Sequence, residues 1–267
     1  MDWVLLATGG AFGLLAGSFL NVVIHRGPAL WKLVEDESRQ GNLARPRSYC
    51  PSCRAQLRAY HLIPLISYLV LRGKCTACGS PIPIRYPLVE FVAAGAGMLA
   101  FAIGGAPGPA AAAALFFWML IALAVIDFET GYLPDVLTLP LLALGLIANA
   151  AGMFTPLIDA AIGAVFGFGA FWLIGFAFKK ARGIEGLGQG DAKLLAALGA
   201  WLGWQALAPI VFIAALMALV GVGLAALLGQ KVTRETPLPF GPALAAAGAV
   251  VMVLLSSEWF SAILYYT

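Results

Sequence analysis

The sequence predicts an all-α, polytopic membrane protein with about eight transmembrane helices and a small cytoplasmic zinc-binding loop domain. Three observations lead there. Mean hydropathy is +0.92, and 61% of the 267 residues are hydrophobic against 11% charged, more apolar than a soluble domain of this length. Nearly uncharged windows of about 18 residues or more recur along the chain. Lysine and arginine gather in alternate connections between those windows.

The windows are 3–24, 87–104, 108–126, 136–154, 157–178, 191–207, 209–229 and 241–264. Each is long enough to cross about 30 Å of hydrocarbon as a helix. Short connections make 87–104/108–126 and 191–207/209–229 expected helical hairpins. The first window follows Asp2, lacks a basic flank and ends in "NVVIHR" without a small-residue cleavage site. It is expected to stay as a span and not to be removed as a signal peptide. Ten of the sixteen basic residues lie in 25–86, and the others are Lys179, Lys180, Arg182, Lys193, Lys231 and Arg234. With eight spans, all these connections share one side, which the positive-inside rule makes cytoplasmic. The connections around 105–108, 155–156 and 208 contain no Lys or Arg.

Segment 25–86 is the only one long enough to fold outside the bilayer. It carries "CPSC" (Cys50, Cys53) and "CTACG" (Cys75, Cys78). Two C-x2-C turns supply four thiolates to one tetrahedral zinc, and a reducing cytoplasm disfavours disulfides. A segment of this length buries little apolar surface, so the metal reads as a structural staple. Four cysteines complete a zinc shell, which leaves His25 and His61 as polar residues outside it.

Carboxylates at or within spans are functional candidates: Glu90, Asp127, Glu129, Asp135, Asp159 and Asp191. Asp159 reads as a residue reaching water at an external helix end. Asp127 closes the third span in "AVIDFETGYLPD", and Asp191 opens the sixth in "GQGDAKLL". Both are expected at the cytoplasmic boundary, where two carboxylates at one depth suit acid/base work on water. Gly186, Gly188 and Gly190 permit backbone geometries closed to other residues. An ordinary helix N-cap is the competing reading of Asp191, and spacing alone leaves the two open. Lys193 either orients that turn or reaches solvent. A proton- or ion-coupled transporter using Asp127 and Asp191 as a relay is the alternative function, against which stand the interfacial placement of the pair and the absence of an evident internal repeat.

"GSFLNVVIHR" (17–26), the two cysteine turns, "IPLISYLVLRGKC" (63–75), "RYPLVE" (85–90), "DFETGYLPD" (127–135), "GQGDAKLLAALGAWLG" (188–203) and "LPFGP" (238–242) follow one another in this order. The set resembles the type IV prepilin peptidases. That resemblance implies an inner-membrane aspartic protease of the G-x-G-D type, which removes the basic leader of type IV prepilins or type II secretion pseudopilins. It also implies N-methylation of the new N-terminal residue, usually Phe, with S-adenosylmethionine.

The family's catalytic pair falls on Asp127 and Asp191, with Gly188, Gly190 and Lys193 supporting; Asp135 matches a motif position outside the pair. Asn21, Arg72, Gly73, Lys74, Arg85, Tyr86 and Glu90 match positions associated with methyl transfer, while the residues that bind the cofactor stay unassigned. Leu62 stands where the family commonly has Asn, and Gly27 where it commonly has Leu. The implied organisation is a first transmembrane helix (1–24), a zinc-binding segment for methyl transfer (25–86) and a seven-helix peptidase region (87–267). Expected partners are the pilin substrates and the lipid bilayer, with no nucleic acid. Glu129 and Asp135 are candidates to attract the basic leader. The helix dipole suggests a division of labour, with Asp191 at a helix N-terminus as ionised base and Asp127 at a C-terminus as protonated acid.

Overall fold

The computed structural model describes residues 3–36, 41–183, 188–229 and 240–256. Its long helices are α1 (Trp3–Leu30), α3 (Arg85–Ile103), α4 (Pro107–Thr130), α5 (Asp135–Ala150), α6 (Leu157–Arg182), α7 (Gln189–Leu202), α8 (Leu207–Leu227) and α9 (Gly241–Leu255). A short α2 (Ile66–Val70) and two single 3-10 turns, Ala59–Leu62 and Trp204–Ala206, complete the helical content. Among the described residues the only β pairing is two isolated bridges, Tyr49 with Gln56 and Lys74 with Pro81. Each predicted span contains one long helix, and the protein is an all-α, multi-pass membrane protein.

Five segments are long and apolar enough to cross a membrane: Trp3–Leu30, Arg85–Ile103, Pro107–Thr130, Leu157–Ala181 and Trp204–Leu227. Helices α5, α7 and α9 are shorter among the described residues, and 257–264 of the last predicted span lies outside them. Helix α1 continues beyond residue 24, the predicted end of the first span, through Pro28 to Leu30. The predicted 191–207 is also interrupted. Gly203, at φ +83°, ends α7, and the chain restarts in the turn that leads into α8.

The chain divides into two compact units, residues 1–122 and 123–267. In the first, α1 packs antiparallel on α3. Small residues let the backbones touch: a methyl group added at Gly9 would stand 2.5 Å from the Gly97 carbonyl oxygen, and one at Gly17 2.7 Å from Glu90 Cα. Lipid offers no hydrophobic drive between helices, so such close packing supplies the attraction. Trp118 of α4 donates its Nε1 hydrogen to the Ala93 carbonyl oxygen at 3.0 Å, tying α4 to α3.

In the second unit α7 is the hub. Ala192 and every residue from Leu194 to Leu202 are buried, enclosed by α5, α6 and α9. A helix that is apolar all round belongs in a protein interior. Its 14 residues reach about 21 Å, less than the roughly 30 Å hydrocarbon core. Enclosure by protein makes that length tolerable, because neighbouring helices can satisfy its ends. Asn149 of α5 does so at the C-terminus: Nδ2 donates to the carbonyls of Ala200 (2.8 Å) and Trp201 (3.0 Å), and Oδ1 accepts from the backbone of Thr155 (3.0 Å). Trp201 Nε1 donates back to Leu141 O at 2.8 Å.

The tightest helix pairs therefore differ from the hairpins expected from short connections. α7 packs chiefly on α6 and α5, and α8 on α9. The reason is side-chain size. Gly163 of α6 meets Gly199 of α7 backbone to backbone, and Gly167 would clash with the Leu195 carbonyl if it carried a methyl group.

Candidate active site and metal centre

The candidate metal centre, a group of four cysteines, lies in the first unit. Both C-x2-C segments fold into the same turn. The Cys50 amide donates to Ala55 O and Arg54 N to Cys50 O; the Cys75 amide donates to Ser80 O and Gly79 N to Cys75 O. The residue after each second cysteine is left-handed, Arg54 at φ 58° and Gly79 at φ 72°. This bend turns the chain back so that both sulfurs of a pair face one point. The four Sγ atoms lie within 4.8 Å of one another, with Cys50–Cys78 at 3.9 Å and Cys53–Cys75 at 4.0 Å.

Four sulfurs at about 2.3 Å from a tetrahedral zinc would be separated by about 3.8 Å. The donor set fits that ion. Thiol electrostatics agree: burial raises the Cys50 thiol, but the backbone amides of Cys53 and Ser52 and the Ser80 hydroxyl outweigh it and hold it at about 6. The Ser80 hydroxyl likewise lowers Cys78. Cys53, despite an amide from Ala55, is pushed up to about 11 by burial and the neighbouring thiols. Four thiolates cannot crowd together without a cation, which a bound metal ion would supply. His61 stacks edge-on against Tyr60, and neither histidine joins the cysteine group.

The positions matched for methyl transfer hold this unit together. Asn21 of α1 donates Nδ2 to Tyr86 O at 3.0 Å. Glu90 Oε2 accepts the Leu65 amide at 2.8 Å, anchoring the start of α2. The Arg85 guanidinium lies over the Tyr86 ring.

The carboxylate pair lies in the second unit. Asp127 is 6% exposed, one turn before the end of α4, where Gly131 N closes on its carbonyl at 2.7 Å. Its carboxylate accepts the Gly241 amide, the first of α9. Asp191 is the third residue of α7, after the N-cap Gly188, and its carboxylate reaches back to the Gly188 amide. This is one half of a capping box. The capping interpretation of Asp191 is thus part of the structure, at the N3 position in place of the N-cap. The start of α7 that carries Asp191 and the start of α9 that meets Asp127 both lie against Leu133, so two carboxylates sixty-four residues apart in sequence come to one corner of this unit.

Each faces the N-terminal end of a helix, α9 for Asp127 and α7 for Asp191. The dipole asymmetry expected from the sequence is therefore absent. The α4 C-terminus beside Asp127 is offset by the α9 N-terminus, so the dipole does not assign acid and base.

The loop between α4 and α5 braces this arrangement. A methyl group at Gly190 would stand 2.9 Å from Leu133 Cβ; one at Gly241 would stand 3.2 Å from Leu133 Cδ1 and 2.5 Å from Asp127 Oδ2. Leu133 thus sits against the starts of both α7 and α9. Two residues on, Asp135 takes both oxygens to Lys193 Nζ at 2.7 and 2.8 Å. Lys193 is a brace between α7 and α5, and Asp135, a candidate to attract a basic leader, has its carboxylate paired with it. Glu129 is exposed. Asp159 accepts from Trp204 Nε1 and Gln205 Nε2, both at 3.3 Å. Gly186 lies outside the described residues. Gly241 and Leu133 carried no role in the sequence reading. The Gly-Pro at 241–242 marks a helix start by composition, but nothing local says which carboxylate that start meets.

Comparison with known proteins gives a consistent result. A family model described as the bacterial peptidase A24 N-terminal domain matches residues 11–103, and one described as the type IV leader peptidase family matches 114–223. Curated relatives named prepilin leader peptidase/N-methyltransferase include one from Burkholderia pseudomallei (strain 1026b), 47% identical over 92% of this chain and 84% of that protein. Others are from Neisseria gonorrhoeae, 42% identical over 92% and 90%, and Pseudomonas aeruginosa, 45% identical over 90% and 87%. No solved structure matches the chain significantly. Identity above two fifths over nine tenths of the sequence, with both domains matched in order, means that this chain belongs to the type IV prepilin leader peptidase/N-methyltransferase family.

Proposed function

We propose that this protein cleaves the leader from type IV prepilins, and from type II secretion pseudopilins where the host has them, and then N-methylates the new N-terminal residue. The convergence of Asp127 and Asp191 on two helix N-termini in one unit carries the cleavage half. Asp127 and Asp191 act as the catalytic carboxylates, with Gly188, Gly190 and Lys193 shaping the turn between them. One carboxylate takes a proton from water as the oxygen adds to the scissile carbonyl carbon, while the other, protonated, donates to the carbonyl oxygen. The proton then passes to the amide nitrogen as the C–N bond breaks. The family relationship supports this reading and lends none to the transporter alternative.

A prepilin carries a basic leader on the cytoplasmic side of an apolar membrane helix. The basic connections of this chain put its own cytoplasmic face at the same depth, in the bacterial inner membrane. We assign cleavage to the 87–267 region and methyl transfer to 25–86 with the first helix. S-adenosylmethionine supplies the methyl group when bound. The protein's part is to hold a deprotonated amine in line with it. Zinc at Cys50, Cys53, Cys75 and Cys78 staples the fold of that segment.

The test is incubation of the detergent-solubilised chain with a prepilin peptide and S-adenosylmethionine, followed by mass spectrometry of the product N-terminus. Release of the leader with a mass gain of one methyl group supports both halves. An intact peptide defeats the cleavage reading.

A further inference from the structure

Arg26 lies in the last turns of α1 and is 6% exposed. Its Nη1 donates to the carbonyls of Asn42 (3.0 Å) and Pro46 (2.9 Å), and its guanidinium lies 5.8 Å from the centre of the Tyr49 ring. These partners are all neutral. A buried cation held by neutral groups keeps its whole charge where water cannot screen it, an arrangement that an anion relieves.

Arg26 also lines a cavity of about 210 Å³ in the first unit. Arg47, at its exposed rim, adds a second cation and Ser48 a hydroxyl, while Val22, Leu57 and Leu62 form an apolar wall. No Asp or Glu lies among its described lining residues. Two arginines and a hydroxyl beside apolar carbon select a carboxylate or phosphate attached to a small organic body.

We propose that this cavity binds the carboxylate end of S-adenosylmethionine, with Arg26 as the fixed cation and Arg47 as the clamp at the rim. The inference rests on the methyltransferase reading and gives it a cofactor site in the unit that holds the cysteine centre. It also gives Leu62 a place on the site's apolar wall.

The experiment measures binding of S-adenosylhomocysteine, which carries the same carboxylate and is not consumed, to the purified full chain by equilibrium dialysis. 5′-Methylthioadenosine, which lacks the amino-acid arm, is the comparison ligand. Arg47→Ala should weaken S-adenosylhomocysteine about tenfold and Arg26→Gln more, since each removes a charge-assisted contact. Neither should alter the already weaker 5′-methylthioadenosine. Leu62→Trp, at an exposed position on the wall, should weaken binding by filling space. Resistance of segment 25–86 to proteolysis equal to that of the unaltered protein reports that each variant keeps the fold of this unit, and Arg47→Ala and Leu62→Trp keep the test decisive if Arg26→Gln misfolds.

Unchanged S-adenosylhomocysteine binding in Arg47→Ala and Leu62→Trp, with methylation intact in the unaltered protein, overturns the cavity assignment and leaves the methyltransferase reading standing. The same holds if the arginine variants lose only co-purified phosphatidylglycerol, which would make the cavity a lipid headgroup site. An unaltered protein that neither binds nor methylates removes both.

Discussion

The two centres of this protein are built at different ranges along the chain. In the cysteine centre each pair of sulfurs is set by a turn of five or six residues, and the two turns repeat the same backbone hydrogen bonds. The carboxylate centre has no such local frame. Asp127 is held by an amide that follows it by more than a hundred residues, and the helix start that carries Asp191 is held by Leu133 from the loop before α5, against Gly190, and by Asp135 at the start of α5, through Lys193. A centre made of local turns should lose its ligand when one donor is removed. A centre made of helix ends should respond to changes in packing at residues that never touch substrate. Mutations can therefore tell the two kinds apart.

The largest effect is expected at the carboxylates themselves. Asp127→Asn or Asp191→Asn keeps size but removes acid/base function, and leader cleavage should fall by about 10²–10⁴-fold. Methylation of a pre-cleaved peptide beginning with Phe should survive in Asp191→Asn. If a folded Asp191→Asn protein cannot methylate that peptide, the separation of the two chemistries is wrong.

Next comes the metal. Metal analysis of protein purified under reducing conditions without chelators should find one zinc per chain, and Cys75→Ser should lose most of it. Such sites contribute about 10–16 kcal/mol of apparent binding free energy in small zinc peptides, so faster proteolysis of segment 25–86 should follow. Methylation should fall further than cleavage. Equal loss of both activities would show that the cysteine centre supports the whole protein and not one unit.

Gly241→Ala asks whether packing sets the dyad. The added methyl group would stand 2.5 Å from Asp127 Oδ2, so the carboxylate must shift. A displacement approaching 1 Å can cost about 10²-fold, and a fall in kcat for cleavage of about 10- to 100-fold is expected, with zinc content unchanged. Wild-type turnover in Gly241→Ala would show that α9 does not position Asp127.

The smallest effect belongs to the ion pair. Lys193 and Asp135 are partly exposed, and such pairs typically contribute about 0–1 kcal/mol. Lys193→Met should slow cleavage about two- to fivefold. The double exchange Lys193→Asp with Asp135→Lys should recover part of that loss if bracing is the role. A swap no better than the single change would assign Lys193 some contact with substrate instead.

Legibility in the sequence followed the same division. The spans were readable because lipid imposes a length and an apolar composition on each helix separately, and the cysteine turns because two thiols three residues apart already share one turn. Helix partners were not readable from connection length. α7 chose α6 because Gly163 and Gly199 allow backbone contact, a matter of shape at a long separation. The dipole argument for dividing acid and base between Asp191 and Asp127 loses its footing for a related reason: it counted only each residue's own helix. The amide at Asp127 belongs to α9.

By itself the sequence determined an all-helical membrane chain, the grouping of its four cysteines and the identity of the two aspartates that the family motifs single out. These depend on composition, on spacing within a few residues and on residue type. Only the tertiary structure decided that the α9 amide faces Asp127, that Leu133 lies against Gly190 and Gly241, that Lys193 grips Asp135 and that Arg26 is buried beside a cavity. Each of these joins residues whose separation along the chain carries no distance information, and close packing of small residues between helices is what brings them together.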